Sequence, residues 1–169
     1  LIVDLDLRRP SIHSLFGLGY RTPGVASYLL EDRPISEIIL NVGIPKLRVL
    51  PAGGSLVKAA EILGSPKLEA LLLALKQRYK DRYIILDTPG INICPDPLII
   101  SEYVDSIILV ARDGLTSKTN IKAAIDRIPR EKVIGIVFNG ANTNEMSTYG
   151  YSFPAGYYSA NGDFPAENS

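Results

Sequence analysis

Cysteine is almost missing. The single Cys94 in 169 residues can close neither an internal disulfide nor a cysteine zinc cage, a scarcity that fits a reducing compartment. Net charge is missing as well: 18 Lys and Arg balance 18 Asp and Glu, so no field points to a nucleic acid or an anionic membrane surface. No apolar run is long enough to span a bilayer. The stretch 98–111 is broken by Ser101, Glu102, Asp105 and Ser106, which argues against direct membrane insertion. The chain opens Leu-Ile-Val-Asp without an initiator Met, in the middle of a strand-like run, and no signal peptide is expected within it. Apolar residues, by contrast, are plentiful. At 46% against 21% charged they supply a sizeable core, which excludes wholesale disorder in a chain of about one domain's length.

Five short runs rich in Ile, Val and Leu predict strands at residues 1–7, 47–50, 83–86, 106–111 and 133–138. Most are apolar at consecutive positions, so both faces are expected to be covered, as in a parallel sheet between helices. Helices are predicted between them. The clearest covers 67–79, where Leu68, Leu71, Leu72, Leu75 and Tyr79 form one stripe, and Ser65 before Pro66 is a start signal. Others are expected at 25–30, 58–63, 96–103 and 118–127. The alternation predicts an α/β fold, a doubly wound, mostly parallel sheet flanked by helices. Residues 17–45, punctuated by Gly and Pro, read as a connection holding one short helix.

Two strand ends carry carboxylates. In Leu1-Ile-Val-Asp4-Leu-Asp6-Leu-Arg8-Arg9-Pro10, residues two apart share a strand face, so Asp4 and Asp6 project together at the carboxyl end, where open parallel sheets bind ligands. Two such carboxylates suit a hard ion such as Mg2+, or a base for a hydroxyl proton, and Arg8 could neutralise phosphate oxygens. The plainer alternative is that the aspartates cap a turn. Tyr83-Ile-Ile-Leu-Asp87-Thr88-Pro89-Gly90 likewise ends a strand in Asp, and the three carboxylates are expected to converge on one crevice.

The second motif resembles the Walker B element of P-loop proteins, and the first resembles the Walker A′ element of bacterial tyrosine kinases of capsule and exopolysaccharide synthesis, within the MinD/ParA-like ATPases. Arg9-Pro-Ser-Ile-His-Ser-Leu-Phe-Gly17, Leu47-Arg-Val-Leu-Pro-Ala-Gly53, Ala60-Glu-Ile-Leu-Gly-Ser65, Asp105-Ser-Ile-Ile-Leu-Val-Ala-Arg112 and Gly135-Ile-Val-Phe-Asn139 fit the same family. The resemblance implies an ATP- and Mg2+-dependent protein-tyrosine autokinase that acts on polysaccharide chain length or export. It implies that Asp4, Asp6, Arg8 and Asp87 are catalytic, that Asp4 and Asp87 hold the metal, and that Asn139 lies near the adenine. It further implies a homo-oligomer on the cytoplasmic side of the membrane, peripheral to it through a polysaccharide co-polymerase membrane protein. Residues 1–140 form the kinase-like domain in this reading, and 141–169 a flexible tyrosine-rich tail.

One element of the family is not found. Its Walker A loop, Gly-x-x-x-x-Gly-Lys-Ser/Thr, cradles phosphates on backbone amides upstream of Walker A′. Within these residues the only approximation is Gly114-Leu-Thr-Ser-Lys118-Thr119, which lacks the glycine before Lys and reads as a βα turn. The expectation is therefore a piece of a longer kinase whose first βα unit lies outside this sequence, a piece inactive by itself and exposing a sheet edge. A ParA/MinD-type ATPase and a scaffold of the same fold without a P-loop are the alternatives.

The 21 residues 149–169 contain no Lys or Arg but four of the nine tyrosines, Tyr149, Tyr151, Tyr157 and Tyr158. These are the expected autophosphorylation acceptors, each phosphate adding about −1.5 to −2 charges. His13 and Cys94 are read as structural, and Lys118, Lys122, Arg127, Arg130 and Lys132 as a solvated basic face.

Overall fold

A computed structural model describes residues 1–141 of the chain. The parallel α/β architecture predicted from the alternating runs is present. In chain order the elements are β1 (Ile2–Asp4), α1 (Ile12–Leu15), α2 (Val25–Glu31), α3 (Ile35–Ile38), β2 (Val49–Leu50), α4 (Ala59–Leu63), α5 (Pro66–Arg78), β3 (Ile85–Asp87), α6 (Asp96–Ser101), β4 (Ile107–Arg112), α7 (Lys118–Ile125) and β5 (Val133–Asn139), with a 3-10 turn at Arg130–Lys132 before β5. All five predicted strands and all five predicted helices are there. The predicted connection 17–45 holds two short helices instead of one, because Pro34 sets an extended entry from which Ile35 starts a second turn that buries Ile38. The turn α1 was not predicted.

β1 lies between β2 and β3, parallel to both, with Val3 opposite Leu50, and Asp4 opposite Asp87. Around β1 the core closes. Val3, Leu5 and Leu7 are fully buried, and Leu68, Leu71 and Leu75 of α5 cover them, three positions of the predicted stripe. Burying each such leucine stabilises the fold by about 1.5–3 kcal/mol relative to leaving it exposed. Pro66 occupies the first turn of α5 as predicted, but the Ser65 side chain makes no capping bond; its carbonyl accepts from the Leu68 amide at 3.1 Å instead. On the β2 side, the loop after the strand receives α2 at close range: the amides of Val25 and Ala26 donate to the Pro51 and Ala52 carbonyls at 2.9 and 2.8 Å.

β4 and β5 form a separate parallel pair. β3 and β4 do not pair, so the strands lie in two sheets, and a sheet edge is exposed as expected of a piece lacking one βα unit. Among the described residues no strand pairs with the outer edge of β3 or the free edge of β4, and large apolar side chains face solvent: Tyr83 is 91% exposed, Ile85 59%, Ile108 56% and Val110 66%. The consecutive apolar runs are genuine, but the second cover they call for is not supplied by the described residues. Polar contacts join the two parts. Lys76 pairs with Asp105 at 2.8 Å, Lys132 Nζ donates to the Ser101 and Glu102 carbonyls, and Arg127 donates to the Ile91 carbonyl at 2.6 Å. Arg130 pairs with Asp126 one turn back. Three members of the basic stretch expected to be solvated are therefore bound to protein oxygens.

Candidate functional site

Asp4 and Asp87 end β1 and β3. Parallel pairing sets Asp4 beside Asp87, and the backbone runs on from Asp4 into a tight turn. Within that turn the two aspartates of the first motif separate in role. Asp4 is fully buried. Its Oδ1 accepts from the Asp6 amide at 3.1 Å, and its Oδ2 from the Ser11 and Ile12 amides at 3.2 and 3.1 Å, which ties the strand end to the start of α1. Asp6 is half-buried, and its Oδ1 accepts from the Arg8 and Arg9 amides at 3.1 and 2.8 Å while Oδ2 takes no protein donor among the described residues.

Asp4, expected as a metal ligand, has both of its carboxylate oxygens engaged by backbone amides. With no surface open to solvent and both oxygens bonded to amides, it braces the turn, the capping role that was the plainer alternative. Asp6 and Asp87 are both half-buried. Burial, and after it the charge of Asp6, push the Asp87 carboxyl above its ordinary value. Asp4 is raised too, first by burial and, after the opposing Ile12 amide bond, by the charge of Asp87. A cation held between such groups relieves their mutual repulsion. Hard oxygen donors in this number suit Mg2+, which is commonly held by one or two carboxylates together with phosphate and water. Among the described residues no three His, Cys, Asp or Glu side chains stand close enough to form a metal cage by themselves.

Arg8 is also placed differently from expectation. Its Nε and Nη2 donate to the two oxygens of Asp96 at 2.7 and 2.9 Å, a bidentate pair across 88 residues of sequence. That hydrogen-bonded pairing is the main reason the guanidinium is pushed above its ordinary value; the Cys94 thiol lies beside it as well. Asp96 is fully buried at the start of α6, and a buried carboxylate needs such a partner. Arg8 is thus spent on Asp96 and is not a free phosphate ligand. Asp96 was missed in the sequence; its only signal there was an acid placed just ahead of an apolar helical run.

The remaining candidates stand apart. Asn139 ends β5, opposite Arg112 and exposed, and its carbonyl accepts from the Asp113 amide at 2.9 Å. The segment 114–119 is the βα turn expected: Gly114 takes a left-handed φ of 70°, and the Ser117 side chain caps α7 by accepting from the Asn120 amide at 3.1 Å. His13 packs edge-on against Tyr20 with ring centroids 5.4 Å apart. A polar cleft of about 410 Å3, lined in part by Tyr20, Arg21 and Gly53, opens on the β2 side and includes none of the site carboxylates. Tyr149, Tyr151, Tyr157 and Tyr158, like all of the expected tail 141–169 but its first residue, lie outside the described residues. No helix among the described residues is long and apolar enough to cross a membrane.

No protein-family model matches the chain. Individual proteins do. The tyrosine-protein kinase YwqD of Bacillus subtilis (strain 168) is 30% identical over 153 residues, 89% of this chain and 63% of that protein. The tyrosine-protein kinase CpsD of Streptococcus agalactiae serotype III is 28% identical over 152 residues, 89% of this chain and 64% of that one. The chain thus spans less than two thirds of the length of these relatives. Among solved structures, the kinase domain of VpsO superimposes with a TM-score of 0.77 at 29% identity, over 83% of this chain and 70% of that one.

Proposed function

Since the chain is similar in sequence and in fold to bacterial tyrosine-protein kinases, we propose that it is the portion of an ATP-dependent protein-tyrosine autokinase domain that carries the metal-binding and proton-accepting carboxylates. One observation supports this most directly: Asp4 and Asp87 are register partners on adjacent parallel strands, and the turn after β1 holds Asp6 with one oxygen free of protein donors among the described residues.

The division of labour follows from the bonding. Asp87, half-buried at the end of β3, would hold Mg2+, and a magnesium-bound triphosphate supplies the phosphoryl group and neutralises its charge. Asp6 would present its free Oδ2 to the acceptor hydroxyl and take the proton as the phenol oxygen bonds to the γ-phosphorus, while the bond from that phosphorus to the bridging oxygen breaks and the nucleoside diphosphate leaves. Asp4 holds the turn that aims Asp6. Phosphoryl transfer asks mainly for positioning and electrostatics, so a rigid dicarboxylate lip is the protein's principal contribution here. A phosphate cradle would have to come from outside these residues, since 114–119 is an ordinary capped turn. Asn139 would contact the base. The acceptors are Tyr149, Tyr151, Tyr157 and Tyr158 of an adjacent copy in a homo-oligomer. The setting is the cytoplasmic side of the membrane, beside a polysaccharide co-polymerase membrane protein, and the role is control of exopolysaccharide chain length or export.

The test uses the protein expressed from its complete reading frame, incubated with Mg-ATP and mapped by mass spectrometry. Phosphate on the tail tyrosines, lost in Asp6→Asn and in Asp87→Asn, is the expected result. ATP hydrolysis without any phosphotyrosine would instead favour a ParA/MinD-type ATPase.

A further inference from the structure

Among the described residues, Asp96 is the one wholly buried carboxylate that plays no part in the scheme above. It is joined to Asp6 by a short chain of contacts. Both Asp96 oxygens are held by the Arg8 guanidinium, at 2.7 and 2.9 Å. The backbone amide of that same Arg8, together with that of Arg9, donates to Asp6 Oδ1 and sets the direction in which Oδ2 points. Asp96 begins α6, the helix that follows the loop from Asp87. The pair therefore staples the loop after β1 to the loop after β3 at the mouth between Asp6 and Asp87. A bidentate fork also restricts rotation as well as separation, which a single ammonium would not do.

We infer that Asp96 is a positioning residue: through Arg8 it fixes the turn that presents Asp6, and so sets the geometry of the dicarboxylate lip. The inference rests on the kinase reading for its effect on rate, but the mechanical claim stands apart from that reading and is measured separately. Supporting partners of ligating or reacting groups typically carry about 10–100-fold in affinity or activity.

The isosteric Asp96→Asn keeps the shape and removes the charge that holds the fork. In the complete protein, kcat for tyrosine phosphorylation is expected to fall about 10–100-fold. The KM for Mg-ATP should stay within about 2-fold, and an unchanged far-ultraviolet spectrum and cooperative melt exclude a uniformly reduced active fraction, which would give the same split. Independently of any turnover, amide order parameters at Arg8 and Arg9 should drop from about 0.85 in the native protein to below about 0.6 in the variant, while those at Leu5 and Ile85 stay unchanged. Arg8→Lys, at a partly exposed position, provides a second variant should Asp96→Asn not fold; it keeps the charge, loses the fork and should give the same kcat loss and the same loosening. A folded variant with native order at Arg8 and Arg9 overturns the inference, and so does native kcat despite the loosening. Should the native protein phosphorylate no tyrosine while the variant still loosens Arg8 and Arg9, the staple stands and the kinase reading falls.

Discussion

At the scale of single residues, identical chemistry two positions apart has opposite uses. Asp4 and Asp6 are both aspartates after a strand, but Asp4 supplies acceptors to three backbone amides and Asp6 keeps an oxygen free. Asp4→Ala leaves those amides without their partner, and buried donors left unpaired cost about 1–3 kcal/mol. The urea midpoint of the variant should fall accordingly, whereas an unchanged midpoint would refute the brace. Asp87 works against the fold. Burial first, and then Asp6, raise its carboxyl above the ordinary value, so the folded state binds more protons than the unfolded one between the two values, and stability declines as pH rises through that window. Asp87→Asn removes the burden. At pH 7 it should unfold at a higher urea concentration than the native chain, and the advantage should vanish below roughly pH 4, where the unfolded carboxyl is itself protonated. A variant no more stable than native at pH 7 would contradict this. A residue kept at a cost to stability is what a functional carboxylate looks like.

At the scale of elements, the tightest constraint is at the entrance of α2. A Cβ on Gly24 would run into the Pro51 carbonyl, and the Val25 amide bond to that same carbonyl leaves no room to retreat. Gly24→Ala should therefore cost about 1–3 kcal/mol or more, as overpacking does, and lower the melting temperature by roughly 2–4 °C for each kcal/mol. Gly54→Ala makes a useful control, since its added carbon meets open space, although its positive φ of 113° brings strain of a different kind. The elements themselves were legible. Leu68, Leu71 and Leu75 announce α5 through spacing alone, because a period of 3.6 is a local property of the chain. Gly24 was not legible as a contact, since the partner it meets lies 27 residues further on at Pro51. α1 and α3, at four residues each, are too short to show a period at all.

At the scale of the whole molecule, the described residues leave apolar strand surface open. Tyr83 just before β3, Ile85 on β3, Ile108 and Val110 on β4, and Phe138 on β5 are all exposed, and unpaired edges of this composition invite association. This chain by itself should sediment as concentration-dependent oligomers. The double substitution Ile108→Lys with Val110→Lys, two positions on one strand face, should shift it toward monomer with little change in melting temperature; a native chain that is monomeric at every concentration would refute this. The sequence by itself determined the parallel α/β class, the five strands, the main helices and the placing of Asp4 and Asp87 at strand ends. Each of these follows from hydrophobic period and from the rule that parallel sheets present their carboxyl ends together. Only the tertiary structure decided which aspartate is free, that Arg8 belongs to Asp96, and that β4 and β5 stand apart from β1, β2 and β3. Those outcomes depend on which groups meet across long stretches of chain, 88 residues in the case of Arg8 and Asp96, and no local pattern encodes the partner that burial will require.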